Sequence, residues 1–144
     1  DYVGTPLVAQ VVSGSGVPSL AGTFLANTLR NVWAHAVIFC GHFPDEVESF
    51  PEASIEGETR GDWYIRQMLG SANLTGGRVF HILTGNLSHQ IEHHLFPDMP
   101  SNRYAEVAPK VREICRRYGL KYTAGPLHRQ IGQTWRSIAR LSLP

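Results

Sequence analysis

The sequence predicts an all-α, membrane-associated protein, and three observations carry this prediction. Apolar residues recur at helical spacing in several segments, and no run alternates as a strand does. One apolar stretch, residues 20–43, carries a single charge and exceeds the roughly 20 residues that cross a bilayer. Charged residues make up 17 % of the chain, below the roughly 25 % usual in soluble domains.

The amino-terminal part is expected to hold one long helix. Residues 2–17 are apolar but interrupted by glycine and proline, which predicts a loop or the frayed end of a membrane segment. A helix is predicted over residues 18–43, because Pro18 is tolerated at a first helical position. Asn, Arg and His side chains interrupt its apolar surface, which indicates a segment facing a protein interior or a cavity. A buried helix of a soluble protein is the alternative.

The middle of the chain is predicted to hold a loop and two helices. Residues 44–58 are acidic and contain two prolines, so we expect an exposed loop there. Helices are predicted over residues 59–74 and residues 78–96, and the adjacent Gly76 and Gly77 separate them.

Residues 97–144 are predicted to form a basic helical tail. Ser101 is a suitable N-cap for the helix that follows, Pro109 should interrupt that helix, and Gly119 should cap its end. A last amphipathic helix is predicted over residues 126–141, where apolar side chains recur at helical spacing.

Charge is strongly segregated along the chain, although the net charge is only +1. Residues 45–62 hold seven acids and one base, whereas residues 101–144 hold nine bases and two acids. Either these runs form solvated surfaces, or the basic tail faces anionic lipid headgroups or an acidic redox partner. The near-neutral total gives no overall attraction to nucleic acid. The two cysteines have no CxxC partner, which favours a reducing compartment.

The densest cluster of the seven histidines lies in residues 88–97, which read SHQIEHHLFP. Successive helical residues diverge by about 100°, so His93 and His94 cannot easily bind one metal but can each reach a different metal of a pair. Gln90 lies three and four positions earlier, on the same helix face. Neutral imidazole suits iron. The alternative is a histidine pair that caps a helix before Pro97.

The string QIEHHLFP resembles the third histidine box of the membrane fatty acid desaturases, in the variant where glutamine replaces the first histidine. This variant is typical of front-end and linoleoyl-type members. Residues 102–104, 107–109 and 118–120 are also similar to the tail of that family. The resemblance covers residues 20–122. It implies a helical fold in which the last membrane helix and cytosolic helices carry part of a di-iron site.

The resemblance also implies a set of metal ligands, namely His35, Gln90, His93 and His94. Asn31 and His35 match the N-x-x-x-H pattern of stearoyl-type members, in which the asparagine holds a metal through water. Interior packing is the alternative for that pair. Gln90 either binds through its carbonyl oxygen or hydrogen-bonds a metal-bound water. Glu92 is expected to accept the other N–H of a ligand imidazole and so to orient it.

For the remaining histidines, the sequence supports less specific assignments. His42 lies two turns beyond His35 on nearly the same helix face. It is an extra ligand, a gate to a pocket or, as we favour, a helix-end cap. His89 is expected to face outward or to contact a ligand from behind. His81 and His128 are expected to be surface or packing residues.

The same resemblance implies an expected function for the protein. It implies an O2-dependent fatty acid desaturase, an oxidoreductase with two iron ions as cofactors. The substrate would be an acyl-CoA or an acyl-lipid within membrane lipid. Electrons would come from an NAD(P)H reductase through ferredoxin or a cytochrome b5-type carrier. The histidine box and the basic tail are expected on the cytoplasmic side of the membrane, and no nucleic-acid partner is expected.

The family's two earlier histidine boxes do not occur in these residues. We therefore interpret residues 1–144 as the carboxy-terminal part of a longer desaturase domain. Two rival interpretations stay open. One is a related di-iron lipid hydroxylase or ketolase, and the other is a non-catalytic helical module on a membrane surface.

Overall fold

The computed structural model describes residues 1–143, and helices make up most of that part of the chain. The expectation of a mainly helical protein is therefore confirmed. In chain order the elements are α1 (Gly4–Ser13), α2 (Gly16–Cys40), α3 (Arg60–Leu69), β1 (Asn73–Thr75), α4 (Arg78–Leu83), α5 (Gln90–Leu95), α6 (Tyr104–Tyr118), β2 (Ala124–Pro126) and α7 (Leu127–Leu141). They divide into two compact units, Asp1–His35 and Ala36–Pro144, and the division falls inside α2.

The first unit contains a helix where the sequence predicted a loop or the frayed end of a membrane segment. α1 ends at Gly14, whose φ of 67° is the left-handed value that glycine adopts without strain. The Oε1 atom of Gln10 then accepts a hydrogen bond from the backbone N–H of Gly16 at 3.0 Å. The glycines thus mark the boundary between two helices. Within residues 1–143, no helix combines the length and the apolar character that a membrane crossing requires.

The second unit has two clusters of buried apolar side chains. One joins α3, α5 and α6, and the other joins the end of α2 to β1 and α7. The first cluster contains Met68, Ile91, Leu95, Val111 and Cys115. Because α5 packs against both α3 and α6 in this cluster, the two neighbouring helices fix the position of α5.

A short parallel strand pair corrects the expectation that the chain has no strand. β1 pairs with β2 in the register Asn73↔Ala124, Leu74↔Gly125 and Thr75↔Pro126. Each strand has three residues, too few for a visible alternation of apolar and polar side chains. Gly125 and Pro126 also disfavour strands in general, and residue 126 was predicted to begin the last helix.

The helix predicted over residues 78–96 is divided in the structure. α4 ends at Leu83, and a turn precedes α5, which begins at Gln90. Gly85 and Asn86 have φ values of 61° and 62°, in the left-handed region where a right-handed helix cannot continue. The histidine box therefore occupies a short helix of its own.

The ends of α6 agree only in part with the sequence analysis. Gly119 caps the helix with a φ of 66°, as predicted. Ser101 begins a 3-10 turn, and α6 starts at Tyr104 without a side-chain cap. The helix also continues through Pro109. Proline removes one hydrogen bond at this exposed position, while Val111 and Cys115 still pack into the core.

Candidate metal centre

α5 carries the histidine box as a buried helix of six residues. Ile91 and Glu92 have no exposed surface, and the half-buried His93 and His94 form its last turn. The Oδ1 atom of Asn73 accepts a hydrogen bond from the backbone N–H of Ile91 at 2.8 Å. This bond satisfies one of the N–H groups that a helix start leaves unpaired, and it ties the box to β1.

Three side chains converge beside the carboxyl end of α2. The Nε2 atom of Gln90 lies 3.2 Å from the Nε2 atom of His42 and 3.2 Å from the Nε2 atom of His94. The two imidazole rings meet edge to face, with centroids 5.0 Å apart. Gly41 makes room for this arrangement, since a Cβ atom there would lie 2.8 Å from Cγ of Gln90.

The buried Oε1 atom of Gln90 has no hydrogen-bond partner. A carboxamide and its flipped form have nearly the same shape, and the hydrogen-bond network decides between them. The flip would place this oxygen between the two imidazole nitrogens, about where Nε2 now lies. Two donors at right angles, each about 2.1 Å from one ion, are about 3.0 Å apart. The spacing and chemistry of these three side chains therefore fit a metal ion.

Gln90 is essential to this donor set. Within residues 1–143, no group of three His, Cys, Asp or Glu side chains is arranged to hold a metal ion. The set thus consists of two imidazoles and one carboxamide. Iron accepts both nitrogen and oxygen ligands, so the combination is chemically suitable for it.

Side chains of neighbouring helices contact the Nδ1 atoms of His93 and His94, the two histidines of the box. The Nδ1 atom of His94 lies 3.0 Å from Oε1 of Gln67 on α3. The Nδ1 atom of His93 lies 3.1 Å from the hydroxyl of Tyr104 on α6. The rings of His93 and His94 are inclined by 72°, with centroids 5.7 Å apart. The two imidazoles therefore point in different directions, as successive residues of a helix should.

Burial keeps the imidazoles of His42 and His94 neutral. Burial lowers the pKa of His94 to about 4, and the nearby His42 and His93 add to the effect. Burial also lowers the pKa of His42. A neutral imidazole has the free electron pair that a metal requires, so these two side chains are ready to bind one at neutral pH.

Glu92 does not contact the imidazoles that the sequence analysis assigned to it. Its carboxylate accepts hydrogen bonds from Nδ2 of Asn73 at 2.7 Å and from the hydroxyl of Tyr122 at 2.8 Å. The helix turns Glu92 away from the box histidines, toward β1. The orienting contacts are made by Gln67 and Tyr104, which no sequence motif indicates.

His89 is buried, which corrects the expectation that it faces outward. Its ring stacks on His81 with centroids 4.6 Å apart. Burial and the neighbouring His81 lower the pKa of His89 to about 4. Nδ1 of His81 lies 2.7 Å from the hydroxyl of Ser88, so His81 is a packing residue. His128 is exposed on α7, as expected.

Asn31 and His35 lie one turn apart on α2, in the first unit, and both are exposed there. Arg30 donates hydrogen bonds to Oδ1 of Asn31 at 3.3 and 3.4 Å. Their assignment to the metal site stays a prediction. His42, in contrast, joins the box directly. The sequence signal for it was its position two turns beyond His35, for which we favoured the interpretation of an end-of-helix cap.

The sequence matches known proteins over most of its length. The model of a family described as fatty acid desaturase matches residues 3–126. An NADPH-dependent stearoyl-CoA 9-desaturase from Mycobacterium tuberculosis is 52 % identical over 145 aligned positions. That alignment covers 100 % of this chain and 34 % of the mycobacterial protein.

Mammalian proteins match at lower identity. The fatty acid desaturase 2-like protein FADS2B of Mus musculus is 32 % identical, over 81 % of this chain and 22 % of its own length. Fatty acid desaturase 3 of Homo sapiens is 31 % identical, over 87 % of this chain and 26 % of its own length. The chain thus spans about a third or less of these relatives. No solved structure matches it.

Proposed function

The chain belongs to the fatty acid desaturase family, and from this premise we propose that it forms part of a di-iron enzyme that introduces a double bond into an acyl chain. The observation that carries the proposal is the convergence of His42, Gln90 and His94. The paired box histidines, whose rings point in different directions, supply the means to contact a second ion.

Each of these residues has a proposed place in the site. His42, His94 and the carbonyl oxygen of Gln90 hold one iron ion, and His93 is directed to the other. His35 is a further ligand, and Asn31 acts through a water molecule. The remaining ligands belong to the rest of the enzyme, because the chain covers a third of its mycobacterial relative.

Bound iron supplies the oxidising power, with O2, to remove two hydrogens from an unactivated acyl chain. O2 takes up four electrons in all, two from the acyl chain and two from an external donor, and it leaves as two water molecules. The residues of this chain hold the ligands in place and keep the imidazoles of His42 and His94 neutral. Ile91 and Leu95 pack behind the box and exclude water from that side.

The substrate and the electron source are proposed from the relatives. The mycobacterial protein is named for stearoyl-CoA and for NADPH, which supports an acyl-CoA substrate over an acyl-lipid one. Electrons from NADPH would pass through a reductase and a ferredoxin or cytochrome b5-type carrier. The exposed bases of α6 are the proposed docking surface for that carrier. We place the site and the basic tail on the cytoplasmic side of the membrane.

The test combines lipid analysis with iron analysis on the full-length protein that carries this chain. Variants His42→Ala and His94→Ala should lose iron and lose the unsaturated product, measured by mass spectrometry of the fatty acids. The exposed His128→Ala serves as the matched control and should keep both. A hydroxylated product, or full activity in the His42 and His94 variants, would refute the proposal.

A further inference from the structure

We propose that Gln67 and Tyr104 are positioning residues that fix the imidazole rings of His94 and His93 for metal binding. The inference rests on the proposed function and extends it to two side chains outside the histidine box. Each of them contacts the Nδ1 atom of one box histidine and leaves its Nε2 atom for the metal.

Gln67 determines which nitrogen of His94 carries the proton. Its carboxamide oxygen lies 3.0 Å from Nδ1 of His94, and an oxygen can only accept a hydrogen bond. With the Gln67 oxygen on this side, as the structure has it, Nδ1 carries the proton and Nε2 keeps its free electron pair. That Nε2 atom is the one that lies 3.2 Å from the Gln90 carboxamide. One hydrogen bond thus sets both the tautomer and the direction of the ring.

Tyr104 does the same for His93 from the opposite side. Its hydroxyl lies 3.1 Å from Nδ1 of His93, and the tyrosine is only 2 % exposed. When Nε2 binds a metal, Nδ1 holds the proton, and the tyrosine oxygen accepts it in a hydrogen bond. Because the tyrosine is buried, water does not readily replace that oxygen as an acceptor.

The two positioning residues belong to separate helices that pack on α5. Next to Gln67 on α3, Met68 lies in the same core cluster as Ile91 and Leu95 of α5. Val111 and Cys115 hold α6 against that cluster. Each contact therefore comes from a different helix, and a substitution at one position removes only its own contact. This arrangement predicts that the two histidines can be disturbed one at a time.

The experiment compares Gln67→Met with Gln67→Glu in the iron-loaded, full-length protein. Both variants keep the length of the side chain, but only glutamate keeps an oxygen that accepts the Nδ1 proton. Iron retained per protein is measured after challenge with a fixed concentration of chelator, and Mössbauer spectra report the iron environment. We expect Gln67→Met to weaken iron retention about 10–100-fold, whereas Gln67→Glu should retain iron and restore the wild-type spectrum.

Tyr104→Phe provides the second arm, because it removes one oxygen and keeps the ring that packs in the core. It should also lose iron and alter the spectrum. Tyr122→Phe is the matched control, since that hydroxyl contacts Glu92 and Asn73 and no box histidine. It should retain iron as the wild type does.

Three outcomes overturn the inference. Iron retention in folded Gln67→Met and Tyr104→Phe could equal that of the wild type, or Gln67→Glu could lose as much iron as Gln67→Met. Tyr122→Phe could also lose as much iron as Tyr104→Phe, which would indicate general destabilisation. If the wild-type protein itself binds no iron, the proposed function is refuted. The wild-type measurement therefore distinguishes failure of the proposed function from failure of this inference.

Discussion

The side chain of Gln90 passes close to Gly41, which has no side chain of its own. A Cβ atom at this position would lie 3.1 Å from Cδ of Gln90 and 2.8 Å from its Cγ, and the second distance is shorter than real Cβ contacts. The glycine therefore matters for space rather than for backbone conformation. It allows the carboxamide to reach both His42 and His94.

Gly41→Ala should displace the Gln90 carboxamide from the two imidazoles. Overpacking of this kind costs about 1–3 kcal/mol, and we expect iron retention to fall while the protein still folds. Gly132→Ala on α7 is the control, because nothing lies within 4 Å of its added Cβ. Metal analysis and thermal unfolding check both changes. Wild-type iron content in Gly41→Ala would contradict the role given to Gln90.

Tyr122 links stability to alkaline pH. Burial raises its pKa above the ordinary value of 10, and the carboxylate of Glu92 adds to the shift. The unfolded tyrosine ionises near pH 10 and the folded one only at higher pH, so the free energy of unfolding should fall as pH rises above 10. The slope for one such group is about 1.4 kcal/mol per pH unit.

Tyr122→Phe should make this alkaline slope smaller, because phenylalanine has no proton to lose. Urea unfolding at several pH values between 9 and about 11 measures the slope, within the range where tyrosine ionises. Tyr118→Phe is the control, since Tyr118 is 72 % exposed. An equal change in slope for the two variants would show that burial of Tyr122 is not the cause.

For single residues of the candidate site, the sequence signal was strongest where they are neighbours in one motif. Gln90, His93 and His94 form one motif, and the family match confirms the resemblance drawn from it. His42 lies 48 positions from Gln90, and Gln67 lies 27 positions from His94. Tyr104 lies 11 positions from His93. Such contacts depend on how the helices pack, which the spacing of residues within one helix does not encode.

At the scale of elements, α3 begins with a capping box that stabilises the helix bearing Gln67. The hydroxyl of Thr59 accepts a hydrogen bond from the backbone N–H of Asp62, and the carboxylate of Asp62 accepts one from the backbone N–H of Thr59. These reciprocal bonds satisfy two N–H groups that a helix start otherwise leaves unpaired.

Thr59→Ala should destabilise the protein by about 0.5–2 kcal/mol, the usual effect of losing an N-cap side chain. Urea unfolding followed by circular dichroism measures the change. Ser101→Ala is a suitable control, because α6 has no side-chain cap. Should the two alanine variants lose equal stability, the capping box would not be what stabilises α3.

The elements differ in how far the sequence could predict them. The start of α3 and most of α7 were predictable, because a threonine followed three positions later by an aspartate and a helical apolar spacing are local signals. The division of α4 from α5 was not, since apolar spacing continues across Gly85 and Asn86. β1 and β2 were missed because each strand is stabilised by its distant partner, and each is too short to show a pattern.

At the scale of the whole molecule, the structure partly neutralises the segregated charge. Glu46 lies 3.6 Å from Lys121 and 3.8 Å from Arg129, and Asp45 lies 3.9 Å from Arg136. The start of the acidic loop thus offsets bases around α7. The bases of α6 have fewer such partners, although Arg116 pairs with Glu113 at 2.7 Å. This contrast supports the proposal that an acidic electron carrier docks on α6.

Reversing Arg112, Arg116 and Arg117 to glutamate should slow electron transfer from the carrier, and most strongly at low salt, because salt screens exposed charges. Stopped-flow reduction over a range of ionic strength measures the rate. The matched control reverses Arg129, Arg136 and Arg140 on α7, which changes the net charge equally. Unchanged rates in the α6 variant, or equal slowing in both, would rule out docking on α6.

The parallel pairing of β1 with β2 has a consequence for how the protein is made. All of α4, α5 and α6 lies between the two strands, and both must leave the ribosome before they can pair. Asn73, which also anchors α5, donates its backbone N–H to the carbonyl of Thr123 at 2.9 Å. Closing so long a loop is slow compared with forming a helix. The histidine box should therefore be synthesised well before its surroundings are complete, and iron insertion should follow translation of β2.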